Sequence, residues 1–318
     1  MTQLQHGPIS EQQKLLIQGP PIGTSMITIG DFLVYLNETD FPVVTTNKQE
    51  SFYNIPCSFD IETSSFYDGD EKRAIMYEWT FGICDQVTCG RTWDEFKVLM
   101  QAISIVLKLS QKRRLICYVH NLPYEFQFIR KRLEWSKVFL LDDLKPVYAI
   151  STLGIEFRCS LKLSNKSLAN TAKDLMHHEV EKMVGDLDYS LIRTPLTPLS
   201  EKEWKYCEND VRVVLAYIAE KIEQDGDITK IPLTNTGYVR RYCRERCFPE
   251  LAEDELVDDV SDSEAIGISR IARSLSRGFY PRECPRGWED SDEYWLVRLH
   301  QFISRSNDSG KVSNGKGD

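Results

Sequence analysis

Two acidic residues, Asp60 and Glu62, lie one residue apart in the segment Cys57-Ser-Phe-Asp-Ile-Glu-Thr-Ser64, where a short apolar run ends. We expect this run to form a buried strand over residues 55–61. Because strand side chains repeat every two residues, both carboxylates would point to the same face. Two such carboxylates repel each other unless a cation neutralises them, and hard divalent cations prefer oxygen ligands. The doublet alone fits either two solvated acids or a metal site that cleaves phosphodiesters.

The composition is typical of a packed globular protein. The chain has 318 residues, 42% of them hydrophobic, enough for one large domain or two ordinary ones. It has no run of 18 apolar residues and no basic leader, so we expect a cytoplasmic protein that is not secreted and has no membrane partner. The net charge of -9 argues against a protein that coats nucleic acid, but it permits an enzyme that grips only a strand end.

The nine cysteines do not indicate a zinc site. Neither the Cys84/Cys89 pair nor the Cys243/Cys247 pair has a second pair of ligands nearby. We therefore expect reduced thiols, as in cytosolic proteins.

The hydrophobic patterning predicts a β-rich first half followed by helices. Candidate strands cover residues 26–30, 32–36, 55–61, 76–84, 86–92, 115–119, 138–141, 147–151 and 155–159. Candidate helices cover residues 94–109, 124–135, 167–175 and 200–224. This order predicts an α/β fold with a mixed central sheet flanked by helices.

Two further acidic segments follow the doublet. One is Tyr118-Val-His-Asn-Leu-Pro-Tyr-Glu-Phe126, with Glu125 in the first turn of a predicted helix. An acid in that turn also stabilises the helix by interacting with its dipole. The other lies in the last predicted helix, which Ser200 and Glu203 begin with a capping-box pattern. Tyr206 and Asp210 are four residues apart there and share one face, so a phenol and a carboxylate can position water beside a metal. Together, the three segments predict one shared site.

These three segments resemble the three exonuclease motifs of family B DNA polymerases, specifically the protein-primed branch of small phages and linear plasmids. The resemblance covers roughly residues 55–225. It extends to Cys159-Ser-Leu-Lys162, Gly185-Asp-Leu-Asp-Tyr189 and Leu233-Thr-Asn-Thr-Gly-Tyr-Val-Arg-Arg241. It implies an RNase H-like 3′→5′ exonuclease fold. It also implies that the protein acts in a phage-infected or plasmid-bearing host cell.

The resemblance also implies roles for individual residues. Asp60, Glu62 and Asp210 would bind two Mg²⁺ or Mn²⁺ ions, Tyr206 would orient the attacking water, and Glu125 would support the site. The positions that match those gripping the 3′ end of single-stranded DNA are Thr63, Tyr118, Asn121, Tyr124, Ser160 and Leu161. Tyr124 would stack on a base or simply pack in the core, and His120 would contact phosphate or be a structural histidine.

The chain departs from the family pattern at two positions. Glu125 stands where the family usually has Asp; it keeps the charge but is one methylene longer, so we expect a role through water and a lower rate. Val184 stands where the family often has a catalytic Lys, and Lys182 is out of register, so that role is not transferred.

We expect an N-terminal extension with short strands over residues 1–50 and the exonuclease domain over 51–225. A connector would follow over 226–285, with an acidic linker at 249–264, and a polar, disordered tail over 286–318. The two acidic motifs of a polymerase palm are absent from the sequence, so we expect no polymerase activity from this chain.

Three functions remain open. The first is the proofreading exonuclease of a protein-primed polymerase, and the second is the exonuclease subunit of a split polymerase whose palm is on another chain. The third is a DNA-end-binding module without catalysis. The expected partners are a single-stranded DNA 3′ end, a separate palm chain, for which the basic stretch 270–282 is a candidate docking segment, and a terminal priming protein.

Overall fold

A computed structural model describes residues 23–142, 145–178, 180 and 191–247. The chain divides into two compact units, Met1–Tyr242 and Cys243–Asp318, and only residues 243–247 of the second are described. The acidic linker, the basic stretch, the tail and the Gly185–Tyr189 segment therefore lie outside the described residues. The domain boundaries remain predictions.

In the described residues, most strands come before the two long C-terminal helices. The strands are β1 (Val43–Thr45), β2 (Ser51–Tyr53), β3 (Cys57–Asp68), β4 (Glu71–Ile83), β5 (Gln86–Gly90), β6 (Arg113–Val119), β7 (Trp135–Asp142), β8 (Lys145–Ser151) and β9 (Ile155–Cys159). The helices are α1 (Ile29–Glu38), α2 (Trp93–Val106), α3 (Leu122–Ile129), α4 (Ser160–Ser164), α5 (Leu168–Lys173), α6 (Glu201–Asp225) and α7 (Asn235–Cys247). None of these helices is both long and apolar enough to cross a bilayer.

The strands form one mixed sheet in the order β5-β4-β3-β6-β9-β8-β7. The strands β5, β4 and β3 are antiparallel neighbours, whereas β3, β6 and β9 run parallel. The strands β8 and β7 extend the sheet in antiparallel fashion, and β2 pairs with the start of β6. A three-stranded antiparallel meander followed by two parallel strands is the RNase H-like arrangement. The predicted fold class is confirmed.

The two faces of the sheet pack against different helices. On one face, the Phe59 ring of β3 lies among Phe81, Phe96 and Phe157, with centroids 4.9–6.5 Å apart. On the other face, apolar side chains of α6 pack against the sheet; they include Val211, Val213, Val214, Leu215 and Ile218. Because side chains alternate along β3, Asp60 and Glu62 point to the face that α6 covers. The fold therefore places α6 over both carboxylates.

Two predicted strands near the N-terminus are wrong. The structure has helix α1 over Ile29–Glu38 in place of a strand at 32–36, and Ile27 contributes only an isolated bridge in the 26–30 stretch. Thr28 caps the helix by accepting a hydrogen bond from the Asp31 amide (3.1 Å), and Phe32 and Leu36 are buried one turn apart. Short apolar runs fit both periodicities, and here the N-cap decides in favour of the helix.

Other predicted elements are confirmed with shifted bounds. The strand that carries the acidic doublet continues to Asp68, so the doublet lies in the middle of β3 and not at its end. The helix predicted for 124–135 ends at Ile129, since residues from Trp135 join β7. Helix α7 was not among the predicted elements.

Candidate metal-dependent active site

The carboxylates of Asp60 and Glu62 share one face of β3, next to a bulge. Asp60 lies opposite Thr80, and Glu62 lies opposite Glu78 on β4. The register shifts after Glu62 and skips Tyr77, so the strand pair is irregular directly beside the doublet. Bulges increase local twist and re-aim neighbouring side chains, as is common near active sites.

Helix α6 brings a third carboxylate to this pair. Its start is fixed by the predicted capping box: Ser200 accepts a hydrogen bond from the Glu203 amide (3.3 Å), and Glu203 accepts one from the Ser200 amide (2.7 Å). Ligand oxygens of Asp60, Glu62 and Asp210 all lie within 4.8 Å of one another. Asp210 and Glu62 are 7% and 9% exposed, so water screens their repulsion poorly.

The electrostatics of this cluster favour a bound cation. Burial raises the pKa of Asp60 well above its usual value, and the charges of Glu62, Asp210 and Glu78 raise it further. Three convergent carboxylates are a hard oxygen donor set, which suits Mg²⁺ or Mn²⁺. The donor set and its unfavourable charge both fit a divalent cation at Asp60, Glu62 and Asp210.

The predicted supporting acid, Glu125, lies in the first turn of α3. Asn121 precedes this helix in a left-handed conformation (φ 74°), and Pro123 occupies its first turn. Glu125 is 4% exposed, and within the described residues its Oε2 has no hydrogen-bond partner. Burial and then the charge of Asp60 raise its pKa well above the usual value. The structure therefore brings Glu125 to Asp60, although it is outside the three-carboxylate cluster.

A fourth acid near the cluster, Glu78, was missed by the sequence analysis. It is 1% exposed and accepts a hydrogen bond from the Thr80 hydroxyl (2.5 Å). Burial raises its pKa to about 8, although Thr80, Arg91 and Cys207 act to lower it. The sequence signal that could have identified Glu78 was a glutamate inside an apolar predicted strand. Its neighbours Tyr77 and Trp79 are both buried.

Two of the expected DNA contacts, Thr63 and Tyr124, meet at the edge of the site. Their hydroxyl groups are hydrogen-bonded to each other, which links β3 to α3. Tyr124 is 41% exposed, and its ring lies 5.4 Å from that of Phe128. Asn121 is also exposed. These three side chains are accessible to a ligand.

The remaining expected contacts differ in accessibility. His120 Nδ1 lies 3.2 Å from the Ser160 hydroxyl; Ser160 is buried and Leu161 is half-buried. Tyr118 is 1% exposed and packs beneath α6, so it is a core residue in this structure. A cavity of about 170 Å³ opens beside the carboxylates, with Asp60, Asp210 and His120 in its lining.

Tyr206 shares the helix with Asp210. It is half-buried and lies one turn before Asp210 on α6, as predicted. The roles assigned to all these residues from the sequence remain predictions.

No protein-family model matches the chain, and no curated protein matches it by sequence. Among solved structures, it is similar to phi29 DNA polymerase complexed with single-stranded DNA, with 15% identity and a TM-score of 0.48, over 61% of this chain and 36% of that chain. It is also similar to the catalytic core of RRP6 from Trypanosoma brucei, with 13% identity and a TM-score of 0.37, over 68% of this chain and 53% of that chain.

A further similar structure is the Aedes aegypti Nibbler EXO domain, with 12% identity and a TM-score of 0.39, over 67% of this chain and 90% of that chain. The chain thus spans about a third of the length of the phi29 polymerase. Because these TM-scores are below 0.5, the fold assignment rests on the strand order and directions given above.

Proposed function

We propose that the protein is a metal-dependent 3′→5′ exonuclease that hydrolyses single-stranded DNA ends. The observation that supports this most strongly is the convergence of Asp60 and Glu62 with Asp210 within 4.8 Å, from a strand and a helix far apart in sequence. Glu125 reaches the same place from a third element. Such a set of acids suits two-metal phosphodiester hydrolysis.

In this proposal Asp60, Glu62 and Asp210 hold two Mg²⁺ or Mn²⁺ ions. When bound, the ions lower the pKa of a water molecule and neutralise charge on the leaving oxygen. Tyr206, one helical turn before Asp210, orients the water through its hydroxyl. Glu125 supports the site through a water molecule, because its buried Oε2 has no partner among the described residues and its side chain is longer than that of Asp.

The DNA end would be held by the rim of the site. Tyr124 offers an exposed ring for stacking on a base, and Thr63 and Asn121 offer polar groups beside it. His120, which lines the cavity beside Asp60 and Asp210, and the half-buried Leu161 would also contact the end. Ser160 would act by orienting His120.

We further propose that this activity serves proofreading by a protein-primed family B polymerase in viral or plasmid DNA replication in the host cytoplasm. A polymerase palm would then act together with this domain, and a terminal protein would prime synthesis. The support is the sequence motifs of residues 55–225.

The test is digestion of a 5′-labelled single-stranded oligonucleotide with Mg²⁺. The wild-type protein should produce a ladder of products shortened from the 3′ end, and EDTA or Asp60→Ala should abolish it. Asp68→Ala, an exposed change on the same strand, is the matched control and should leave the ladder intact. A ladder that persists in Asp60→Ala would refute the proposed site. Metal-dependent DNA binding without cleavage would favour a DNA-end-binding module instead.

A further inference from the structure

The loop of residues 191–199 leads directly into α6 and is internally braced. The Thr197 amide donates a hydrogen bond to the Thr194 carbonyl (2.9 Å), and the Thr194 amide donates one to the Thr197 hydroxyl (2.9 Å). This turn sets the path by which the chain enters the helix that carries Asp210.

Arg193, in this loop, contacts three elements of the candidate site at once. Its amide donates a hydrogen bond to the Ser64 hydroxyl (2.8 Å), two residues beyond Glu62 on β3. Its guanidinium pairs with Glu203 in the first turn of α6, with Nε and one terminal nitrogen each 2.7 Å from Oε1. The same guanidinium lies 5.8 Å from the centroid of the Tyr77 ring on β4.

Arg91, just after β5, holds the same loop from another side. Its Nε donates a hydrogen bond to the carbonyl of Tyr77, the residue that the β3–β4 register skips (2.6 Å). One terminal nitrogen donates to the carbonyls of Thr194 (3.1 Å) and Thr197 (2.6 Å). These hydrogen bonds of Arg91 therefore link the loop of residues 191–199 to the β3–β4 bulge beside Asp60 and Glu62.

The Arg193–Glu203 pair is shielded from water. Arg193 is 6% exposed, and the two carboxylate oxygens of Glu203 have separate partners. Oε2 accepts the capping-box hydrogen bond from the Ser200 amide, and Oε1 accepts the hydrogen bond from Arg193. A planar guanidinium held by such charge-assisted hydrogen bonds permits little movement of the groups it joins.

We propose that Arg193, supported by Arg91, is a positioning residue that fixes α6 against β3 and so sets the distance between Asp210 and the Asp60/Glu62 pair. The site itself requires such a positioning residue. The carboxylates repel one another before a cation binds, and a divalent cation tolerates little error in ligand placement. Loosening α6 should therefore weaken the metal site before it weakens the fold. This inference rests on the proposed function only in assigning the site to a divalent cation.

The experiment measures Mn²⁺ affinity by calorimetry, which needs no catalysis, together with the Mg²⁺ dependence of nuclease activity. The variants are Arg193→Gln, Arg193→Lys and Glu203→Gln; the last retains a capping-box residue but loses the charge of the pair. The matched control is Arg73→Gln, which breaks an exposed ion pair at the far end of the same β3–β4 hairpin.

We expect Arg193→Gln to weaken Mn²⁺ binding on the order of tenfold, with the other two variants intermediate and the control unchanged. The Mg²⁺ concentration for half-maximal activity should rise in parallel, and saturating Mg²⁺ should restore most of the rate. If Arg193 had a purely structural role, its replacement would lower the melting temperature, and saturating Mg²⁺ would not restore the rate. That result would overturn the inference.

If Arg193→Gln fails to fold, Glu203→Gln decides between the same outcomes. A wild-type protein that binds Mn²⁺ but cleaves nothing would refute the nuclease proposal while leaving this inference intact.

Discussion

Glu78 on β4 lies directly opposite Glu62 on β3, so a fourth carboxylate faces the three-acid cluster from the neighbouring strand. When ionised, Glu78 is one of the carboxylates that raise the pKa of Asp60. Burial in turn raises the pKa of Glu78 to about 8, so this side chain is protonated at neutral pH in the metal-free protein.

This pKa predicts how stability depends on pH in the absence of metal. Folded Glu78 keeps its proton up to about pH 8, whereas in the unfolded chain it titrates near its ordinary value of 4.5. Between these values unfolding releases a proton, so the free energy of unfolding falls as pH rises, by at most about 1.4 kcal/mol per pH unit from this group. Glu78→Gln should flatten this slope.

Urea unfolding in EDTA across this pH range measures the slope. Glu71→Gln, an exposed change on the same strand, should leave it as in the wild type. Asp60 and Glu125 also have raised pKa values, so both variants retain a slope from these two carboxyls. Because Glu78 is one cause of the raised Asp60 pKa, Glu78→Gln also reduces the contribution of Asp60, which acts in the same direction. Equal slopes for Glu78→Gln and wild type would show that Glu78 titrates normally in the folded protein.

The close approach of α6 to the sheet depends on Gly82 of β4. A Cβ at this position would lie 2.7 Å from Leu215 Cδ1 and 3.0 Å from Val211 Cγ1. Gly82→Ala should therefore push the helix outward, lower the free energy of unfolding by about 1–3 kcal/mol, and weaken Mn²⁺ binding because Asp210 moves with α6.

The matched control is Gly30→Ala in α1, where the nearest atom to the added Cβ is 3.7 Å away. This change should stabilise the protein by about 0.5–1 kcal/mol, because alanine is the better helix residue. Chemical denaturation and calorimetry give both quantities. Unchanged metal affinity in a destabilised Gly82→Ala protein would mean that α6 adjusts without moving Asp210.

Local patterns predicted the parts of the site that lie on single elements. The alternation along β3 gave Asp60 and Glu62, and the Ser200/Glu203 capping box gave the start of α6 and hence the shared face of Tyr206 and Asp210. These features need only neighbours in sequence.

The parts that were missed depend on pairing between distant segments. The position of Glu78 opposite Glu62 follows from the β3–β4 register, and the contacts of Arg193 follow from a loop that meets β3 about 130 residues away in sequence. Tyr118 was expected to contact DNA because it belongs to a motif segment, but the packing of α6 buries it. No single segment contains that information.

A variant of Tyr206 distinguishes an effect on catalysis from an effect on metal binding. Tyr206→Phe removes the hydroxyl proposed to orient water but leaves the carboxylates in place, so we expect the cleavage rate to fall about 10²-fold with little change in Mn²⁺ affinity. Tyr217→Phe on the same helix is the control and should keep the wild-type rate. Single-turnover digestion at saturating Mg²⁺ measures the effect. A wild-type rate for Tyr206→Phe would remove this residue from the proposed chemistry.

Variants of Glu125 test whether this buried acid takes part in the reaction. Because its buried Oε2 has no partner among the described residues and its pKa is raised, Glu125→Gln should not destabilise the metal-free protein. If the carboxylate acts through water, the same variant should lower the cleavage rate at saturating Mg²⁺. Glu125→Asp restores the usual residue but removes a buried methylene, at a cost of about 1 kcal/mol, and should retain or increase the rate. If both Glu125→Gln and Glu125→Asp keep the wild-type rate, this acid fills space at the site and takes no part in the reaction.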